Sequence, residues 1–422
     1  MFKKNILANG LRLLLAPQEG SGSTTVLVLF GVGSKYETKE INGISHFLEH
    51  MFFKGTKKRP NTLAVSETLD RVGGSYNAFT SKETTGYWAK VAQEYWELAL
   101  EWVADILLNS KFEEEEIEKE KGVVIEERNM YLDDPRSYVG ELWESLLYGN
   151  QPAGWDTIGT EEAILGFKRQ QLIKYLNDHY RSRNALICLA GKLPHEKEIE
   201  RKINYYFKKI KKGVGQKKLA VKENQKKPQA LISFKETDQT HLCLGVRAYD
   251  QSHPDRYALL VLAVMLGGMM SSRLWISVRE RKGLAYYVKT SYEKYTDSGY
   301  LVTQAGVANQ RVEEAIKTIL EEYQKIRDEK ISISELKKAK DYLVGMTTLS
   351  LETSDSLASW IAFQEILKNE VLTPQEFFSK IKAVKVSDLA RVAYDIFKPE
   401  KLNLALIGPF KEREKFEKLL KI

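Results

Sequence analysis

Two histidines and a glutamate lie close together near the N-terminus, in the pattern His46-x-x-Glu49-His50. On a helix, His46 and His50 point in directions about 40° apart, so both imidazoles face the same way. Glu49 lies about 60° to the other side of His46, within reach of whatever the histidines bind. Two imidazoles beside a carboxylate that need not be a ligand are typical of a catalytic zinc site. The competing interpretation, a core helix with two hydrogen-bonded histidines, is disfavoured because H-x-x-E-H is a known zinc signature.

A zinc ion bound by two histidines needs a third protein ligand, and an acidic helix predicted over 113–132 could supply it. Glu120 and Glu127 are seven residues apart and share a face of that helix to within about 20°. Glu126 points about 100° away from Glu127. The apolar run before Glu126 indicates a packed helix rather than a solvated charged face, so a carboxylate there needs a partner. The spacing alone does not choose among Glu120, Glu126 and Glu127.

The elements that must position these residues follow from local patterns. Asn9-Gly10 predicts a hairpin, and Ser23–Phe30 is β-branched and apolar, as in a buried strand. The histidine helix is predicted to begin near Ile44. Two further strands are predicted at Ser75–Thr80 and Thr85–Val91, joined by a short polar turn.

The second half of the chain repeats features of the first. Residues 184–191 and 402–408 are both apolar strands that end in glycine and precede a charged helix. In the register of this repeat the histidine helix corresponds to the region around Val264–Gly268, which has no histidine, so the second copy lacks the metal ligands. We therefore predict an α+β fold of two homologous α/β domains, each a mostly antiparallel sheet packed with helices on one face. The predicted domains are a zinc-bearing 1–210, a basic linker 211–228, and 229–422 without metal ligands.

Composition excludes several classes of protein. The chain has 422 residues, 43% hydrophobic and 29% charged, which is typical of globular domains. The net charge of +7 comes from widely spread lysines, so nucleic-acid binding is not expected. No apolar run is long enough to span a membrane, and the N-terminus lacks a signal-peptide pattern. Cys188 and Cys243 lie in apolar strand-like runs, which is typical of buried thiols in a reducing compartment. We expect a cytoplasmic protein with no membrane partner.

The stretch Gly43–Thr56 resembles the zinc site of the pitrilysin/insulinase family of inverted-motif metallopeptidases, and the resemblance extends over essentially the whole chain. It implies one zinc ion per chain, with His46, His50 and Glu127 as ligands. It also implies Glu49 as the catalytic base and Glu120, seven residues before Glu127, as a supporting glutamate. The family's edge strand, to which substrate adds as a further strand, is similar to Ser75–Thr80 and implies that Asn77, Ala78 and Phe79 contact substrate.

A second family signature resembles residues 271–286, where an arginine and a tyrosine seven residues apart grip the substrate backbone. Arg279 and Tyr286 occupy those positions. Without the resemblance, a surface arginine and a strand tyrosine would be the simpler interpretation. The chain departs from the family at residues 149–155, where Gln151 and Ala153 replace the usual histidine and leucine. This departure affects local loop contacts and not the metal.

The predicted function is a zinc-dependent endopeptidase that hydrolyses extended or unfolded peptides in a chamber formed by two chains. Water activated by the metal would attack the peptide carbonyl, with Glu49 as general base. One chain carries both the zinc motif and the Arg279/Tyr286 pair, which favours a homodimer in which each second half completes the other site. The alternatives are a catalytically inactive structural or regulatory subunit of the same fold, or one half of a heterodimeric processing peptidase.

Overall fold

The computed structural model of the protein describes residues 2–422. Its strands are β1 (Lys3–Ile6), β2 (Arg12–Pro17), β3 (Ser23–Phe30), β4 (Ser75–Thr80), β5 (Thr85–Ala92), β6 (Ala185–Gly191), β7 (Gln229–Phe234), β8 (Gln239–Ala248), β9 (Ala285–Lys294), β10 (Gly299–Ala308) and β11 (Leu402–Gly408). The predicted Asn9-Gly10 hairpin joins the antiparallel β1 and β2, with Gly10 at φ 86°. The predicted strands Ser23–Phe30 and Ser75–Thr80 are confirmed at both ends.

The helices vary from five to twenty residues in length. They are α1 (Ile44–Met51), α2 (Thr62–Asp70), α3 (Trp96–Asn109), α4 (Glu114–Asp133), α5 (Pro135–Tyr148), α6 (Glu161–Gly166), α7 (Arg169–His179), α8 (Glu196–Tyr206), α9 (Arg256–Ala263), α10 (Val312–Asp328), α11 (Ile333–Ser350), α12 (Ser354–Lys368), α13 (Pro374–Ala383), α14 (Val386–Ile396) and α15 (Arg413–Glu417). Two π-helical turns cover Val264–Gly268 and Trp275–Arg281. Among the described residues, no helix is both long and apolar enough to cross a membrane.

Each half of the chain contributes one sheet, and the two sheets have the same strand order. The first sheet runs β1-β2-β6-β3-β5-β4 and the second runs β7-β11-β8-β10-β9. Apart from β1, the strands correspond one to one. All neighbouring strands are antiparallel except β2 with β6 and β7 with β11. The predicted fold class, two homologous domains of mostly antiparallel sheet packed with helices, is confirmed.

The two compact units are discontinuous in sequence, unlike the contiguous halves predicted above. The first unit comprises residues up to Asn129, then Asp156–Leu219 and Thr348–Thr373. The second comprises Met130–Trp155, Ala220–Thr347 and Pro374–Ile422. One helix from each half of the chain therefore packs on the sheet of the other half. Helix α12, from the second half, packs on β3 and β6, and α5, from the first half, packs on β8 and β11.

Helices α12 and α5 each cover the sheet face opposite the larger helical layer. On the first sheet, Leu27 and Cys188 pack against Ala358 and Ile361 of α12 in a small apolar core of their own. On the second sheet, Trp143 of α5 packs edge-on against Tyr300 with ring centroids 5.8 Å apart. Each sheet therefore has helices on both faces: the predicted layer on one face and a single further helix on the other.

The stretch predicted as a basic linker, 211–228, contains neither helix nor strand. Its ends are nevertheless anchored. In the first unit the Arg183 amide donates to the Gly213 carbonyl at 2.9 Å. In the second unit Arg247 donates through Nε to the Gln225 side chain at 2.8 Å. Both ends of this stretch are thus tied to the unit that contains them.

A buried ion pair fixes α12 on the first sheet and generates a stability prediction. Glu365 is buried on α12, 2.8 Å from Lys4 Nζ and 3.1 Å from Arg12 Nη1. We expect Glu365→Ala to lower the free energy of unfolding by about 2 kcal/mol, because it leaves two partly buried cations unpaired. Urea unfolding followed by circular dichroism measures this loss. The exposed Glu370→Ala is the matched control, and an equal effect of the two substitutions would contradict the role given to this pair.

Candidate metal centre and substrate-contacting residues

Helix α1 carries the histidines, and its first turn is fixed by backbone geometry. Gly43 precedes the helix at φ 94°. A Cβ atom there would lie 2.1 Å from the Ile158 carbonyl oxygen, so only glycine fits. Phe47, Leu48 and Met51 are fully buried and anchor the helix in the core of the first unit. The histidine face of the helix is consequently held rigidly.

A buried carboxylate caps the same end of α1. Glu37 accepts hydrogen bonds from the Gly43 amide at 2.7 Å and from the Ser45 amide at 2.8 Å. These two donors belong to the helix N-terminus, where an anion is favoured. Asn42 also donates to this carboxylate at 3.1 Å. Sequence reasoning missed Glu37, which lies nine residues before His46 and outside the zinc motif.

The structure brings His46, His50 and Glu127 together. One ligand atom from each residue lies within 4.8 Å of the other two, and no other group of this kind occurs in the described part of the chain. Glu127 Oε2 lies 3.2 Å from His50 Nε2 and 3.6 Å from His46 Nε2. This oxygen is buried but makes no hydrogen bond of regular geometry. Glu126 is exposed and does not belong to the cluster.

Glu120 and Lys54 surround His50 on its other side. Glu120 is buried, with Oε1 2.8 Å from His50 Nδ1 and Oε2 2.5 Å from Lys54 Nζ. The contact of Nδ1 with Glu120 fixes the orientation of the ring, so that Nε2 is the nitrogen that faces Glu127. Lys54 was not singled out from the sequence, although its position one helical turn after His50 is a signal that could have found it.

The electrostatics of the cluster favour a cation. Burial lowers the pKa of His50, but its contacts with Glu120 and Glu127 outweigh burial and raise this pKa to about 9. Burial and the charge of His50 lower the pKa of His46 to about 4. A positive charge is therefore held between the imidazoles and the carboxylates. Two imidazoles and one carboxylate are a ligand set that suits zinc.

Glu49 lies beside this cluster but is not part of it. The Thr80 hydroxyl, at the end of β4, donates to Glu49 Oε2 at 2.6 Å. Burial raises the pKa of Glu49, and the hydrogen bond from Thr80 opposes that rise. A raised pKa makes a carboxylate a better proton acceptor than an exposed one.

Strand β4 is the edge of the first sheet and pairs only with β5. The Asn77 side-chain oxygen accepts a hydrogen bond from the Ala78 amide at 2.9 Å. The Phe79 ring stacks on Phe363 with ring centroids 5.5 Å apart and covers Gly86. The Asn77 side chain thus covers the Ala78 amide, whereas the Phe79 side chain is used for packing and only its main chain remains for pairing.

Arg279 and Tyr286 lie together in the second unit. The Arg279 guanidinium carbon is 4.2 Å from the centre of the Trp275 ring and 5.3 Å from that of Tyr286. Tyr286 is 77% exposed. Sequence reasoning found Arg279 and Tyr286 but missed Trp275.

The loop at 149–155, where the chain departs from the family pattern, is also ordered within the second unit. The Gln151 side-chain amide donates to the Tyr148 carbonyl at 2.6 Å and to the Lys222 carbonyl at 3.0 Å. Ala153 is buried. Gln151 therefore replaces the family's histidine with a side chain that ties this loop to the stretch before β7.

Residues 12–161 match the model for insulinase (peptidase family M16), and residues 166–343 match that for the peptidase M16 inactive domain. The Bacillus subtilis protein named "Uncharacterized zinc protease YmxG" is 38% identical over 97% of this chain and 98% of its own length.

Two solved structures share the fold along the whole chain. The crystal structure of a protease from Helicobacter pylori superposes with a TM-score of 0.91 at 26% identity, covering 97% of this chain and 99% of that one. A chain of complex III2 from Candida albicans, with Inz-5 bound, superposes with a TM-score of 0.84 at 19% identity, covering 100% of both chains. The second likeness concerns the fold alone.

The cap on α1 predicts a pH-dependent stability. Burial raises the pKa of Glu37 to about 7, against its hydrogen bonds from Gly43 and Ser45. The folded protein therefore keeps this proton to a higher pH than the unfolded chain, and the stability from this group is lost as pH rises from about 4.5 to 7. In Glu37→Gln this group does not titrate. Across that range the unfolding free energy of the wild type should fall by about 3 kcal/mol relative to the variant.

Urea unfolding of the chelator-treated protein at several pH values measures that difference. The exposed Glu19→Gln is the control and should follow the wild type throughout. Parallel curves for the wild type and Glu37→Gln between pH 4.5 and 8 would show that Glu37 does not titrate in this way.

Proposed function

The chain belongs to the insulinase (M16) family of peptidases, and from this premise we propose that it is a zinc-dependent endopeptidase acting on extended or unfolded peptides. The observation that carries the proposal is the convergence of His46, His50 and Glu127 on one point, with their ligand atoms within 4.8 Å of one another. The buried oxygen of Glu127 that lacks a regular hydrogen bond suits a metal ligand.

In the proposed reaction His46, His50 and Glu127 would hold a zinc ion, which would supply Lewis-acid chemistry towards the peptide carbonyl and the attacking water. Glu49 takes a proton from the attacking water as its oxygen bonds to the carbonyl carbon. Glu49 then returns the proton to the amide nitrogen as the C–N bond breaks. The Thr80 hydroxyl, 2.6 Å from Glu49, orients the carboxylate for both transfers.

Two outer residues keep the ligands in place. Glu120 fixes the His50 ring through Nδ1, and Lys54 balances the charge of Glu120. Such contacts orient a metal-binding imidazole and raise its basicity. Removal of an outer partner of this kind lowers metal affinity by about 10- to 100-fold in known metal sites.

Substrate is held mainly through its backbone in this proposal. The free edge of β4 pairs with the substrate main chain at Asn77, Ala78 and Phe79, and Arg279 and Tyr286 bind its carbonyl groups. Recognition of main chain favours peptides that are extended and rejects folded proteins. Because β4 ends at Thr80, beside Glu49, a substrate paired along this edge runs directly to the catalytic base.

The proposal includes a homodimer that encloses a chamber, each second half completing the site of the other chain. Its support is that one chain carries both the zinc motif and the Arg279/Tyr286 pair. A cytoplasmic location is also proposed, because Cys188 and Cys243 are free and buried.

The test is digestion of a random peptide pool by the wild type and by Glu49→Gln, read by mass spectrometry. We expect cleavage by the wild type that a chelator abolishes and added zinc restores. Glu49→Gln should hold as much zinc as the wild type, because Glu49 lies outside the ligand cluster. Its cleavage should fall by about 10³-fold, since proton transfer is lost.

Turnover by Glu49→Gln within tenfold of the wild type would contradict the role of Glu49. A wild type that binds zinc but cleaves nothing in the pool would favour the inactive structural or regulatory subunit instead.

A further inference from the structure

We infer that Trp275 is a positioning residue for the peptidase reaction, whose indole ring holds the Arg279 guanidinium ready for the substrate main chain. This inference rests on the proposed function, in which Arg279 binds substrate carbonyl groups. Its direct support is geometric. The guanidinium carbon lies 4.2 Å from the centre of the Trp275 ring, well within the range of cation–π attraction.

The stacked arrangement controls which donors Arg279 can offer. A guanidinium is planar, and its N–H groups lie in that plane. With the guanidinium carbon held over the Trp275 ring and Nε facing Glu280, the terminal N–H groups are the donors that Arg279 can offer to a carbonyl or carboxylate oxygen. The exposed Tyr286 ring, 5.3 Å from the guanidinium carbon, borders the same group. Trp275, Arg279 and Tyr286 therefore form one acceptor-binding surface.

A π-helical turn makes the arrangement possible. Trp275 begins the π-helix that ends at Arg281. In an α-helix, residue i+5 points about 140° away from residue i, whereas the wider π turn brings both i+4 and i+5 near it. Arg279 is thus placed over the indole face while Glu280 accepts a hydrogen bond from the indole Nε1 at 3.1 Å.

Glu280 completes the fixation of both groups. Its Oε1 holds the edge of the indole and lies 3.8 Å from Arg279 Nε. Rotation of the indole would break this hydrogen bond, and displacement of the guanidinium would break its cation–π contact with the indole. An arginine ordered in advance loses less side-chain freedom when it binds, which strengthens binding without a new contact to the substrate.

The experiment compares Trp275→Leu, Trp275→Phe and Glu280→Ala in the full-length, zinc-loaded protein. With one fluorescent peptide taken from the cleaved pool, we expect Trp275→Leu to raise KM by about 3- to 10-fold and to change kcat by less than about 2-fold. Trp275→Phe keeps an aromatic face and should restore most of the loss. Glu280→Ala, at a largely exposed position, should raise KM by about 2-fold without affecting the fold.

A second readout does not depend on turnover. Fluorescence anisotropy of the same peptide on the Glu49→Gln background should show the matching 3- to 10-fold rise in Kd for Trp275→Leu, with zinc content unchanged. A role confined to folding would instead lower Tm, kcat and zinc content together.

An unchanged KM and Kd in Trp275→Leu, or equal losses in Trp275→Leu and Trp275→Phe, would overturn the inference. Failure of the wild type to cleave any peptide would count against the proposed function, while the anisotropy measurement, made with a peptide of the pool, would still decide the role of Trp275. Absence of any peptide binding would overturn both.

Discussion

The candidate metal centre requires one atom each of His46, His50 and Glu127 to stay within 4.8 Å of one another, although two of these residues lie on α1 and the third on α4. The first helix is short, so it needs fixation at both ends. Glu37 caps its N-terminus from within the core. After its C-terminus, buried Arg59 pairs with Glu101 and Asp105 of α3, each at 2.6 Å. A buried hydrogen-bonding cap before the histidines and a buried ion-pair cluster after them thus secure the helix on both sides.

The proposed base and the proposed substrate edge are joined by one hydrogen bond. Thr80 is the last residue of the edge strand and donates to Glu49. A displacement of β4 would therefore also disturb the carboxylate proposed as catalytic base. Phe79, the residue before Thr80, stacks on Phe363 of α12. Helix α12, which comes from the second half of the chain, consequently supports the strand that ends beside the proposed base.

Local patterns predicted much of the fold and of the site. The β-branched run of β3, the strand Ser75–Thr80 and the spacing of His46 and His50 each depend on neighbouring residues, and each appears as predicted. Spacing on α4 could not separate Glu126 from Glu127, since both lie in one helix. The choice depends on which side of that helix faces α1, and it is Glu127 that meets the histidines.

What the sequence could not predict depends on distant contacts or on unusual backbone. The exchange of α5 and α12 is fixed by contacts such as that of Glu365 with Lys4, residues 361 positions apart, which leave no periodic signal. The pairing of Trp275 with Glu280 requires a π-helical turn, whereas periodicity arguments assume 3.6 residues per turn. Glu37 reaches the helix across a loop, so its role is visible only once that loop is folded.

Zinc binding by Glu127→Gln and Glu126→Gln tests the central claim most directly, because the two substitutions change adjacent residues of one helix. Titration against a competing chelator, with metal content confirmed by mass spectrometry, gives the affinity of each variant. The account predicts one zinc per wild-type chain, wild-type affinity for Glu126→Gln, and a loss of at least about 100-fold for Glu127→Gln. Wild-type affinity in Glu127→Gln, or an equal loss in both variants, would contradict it.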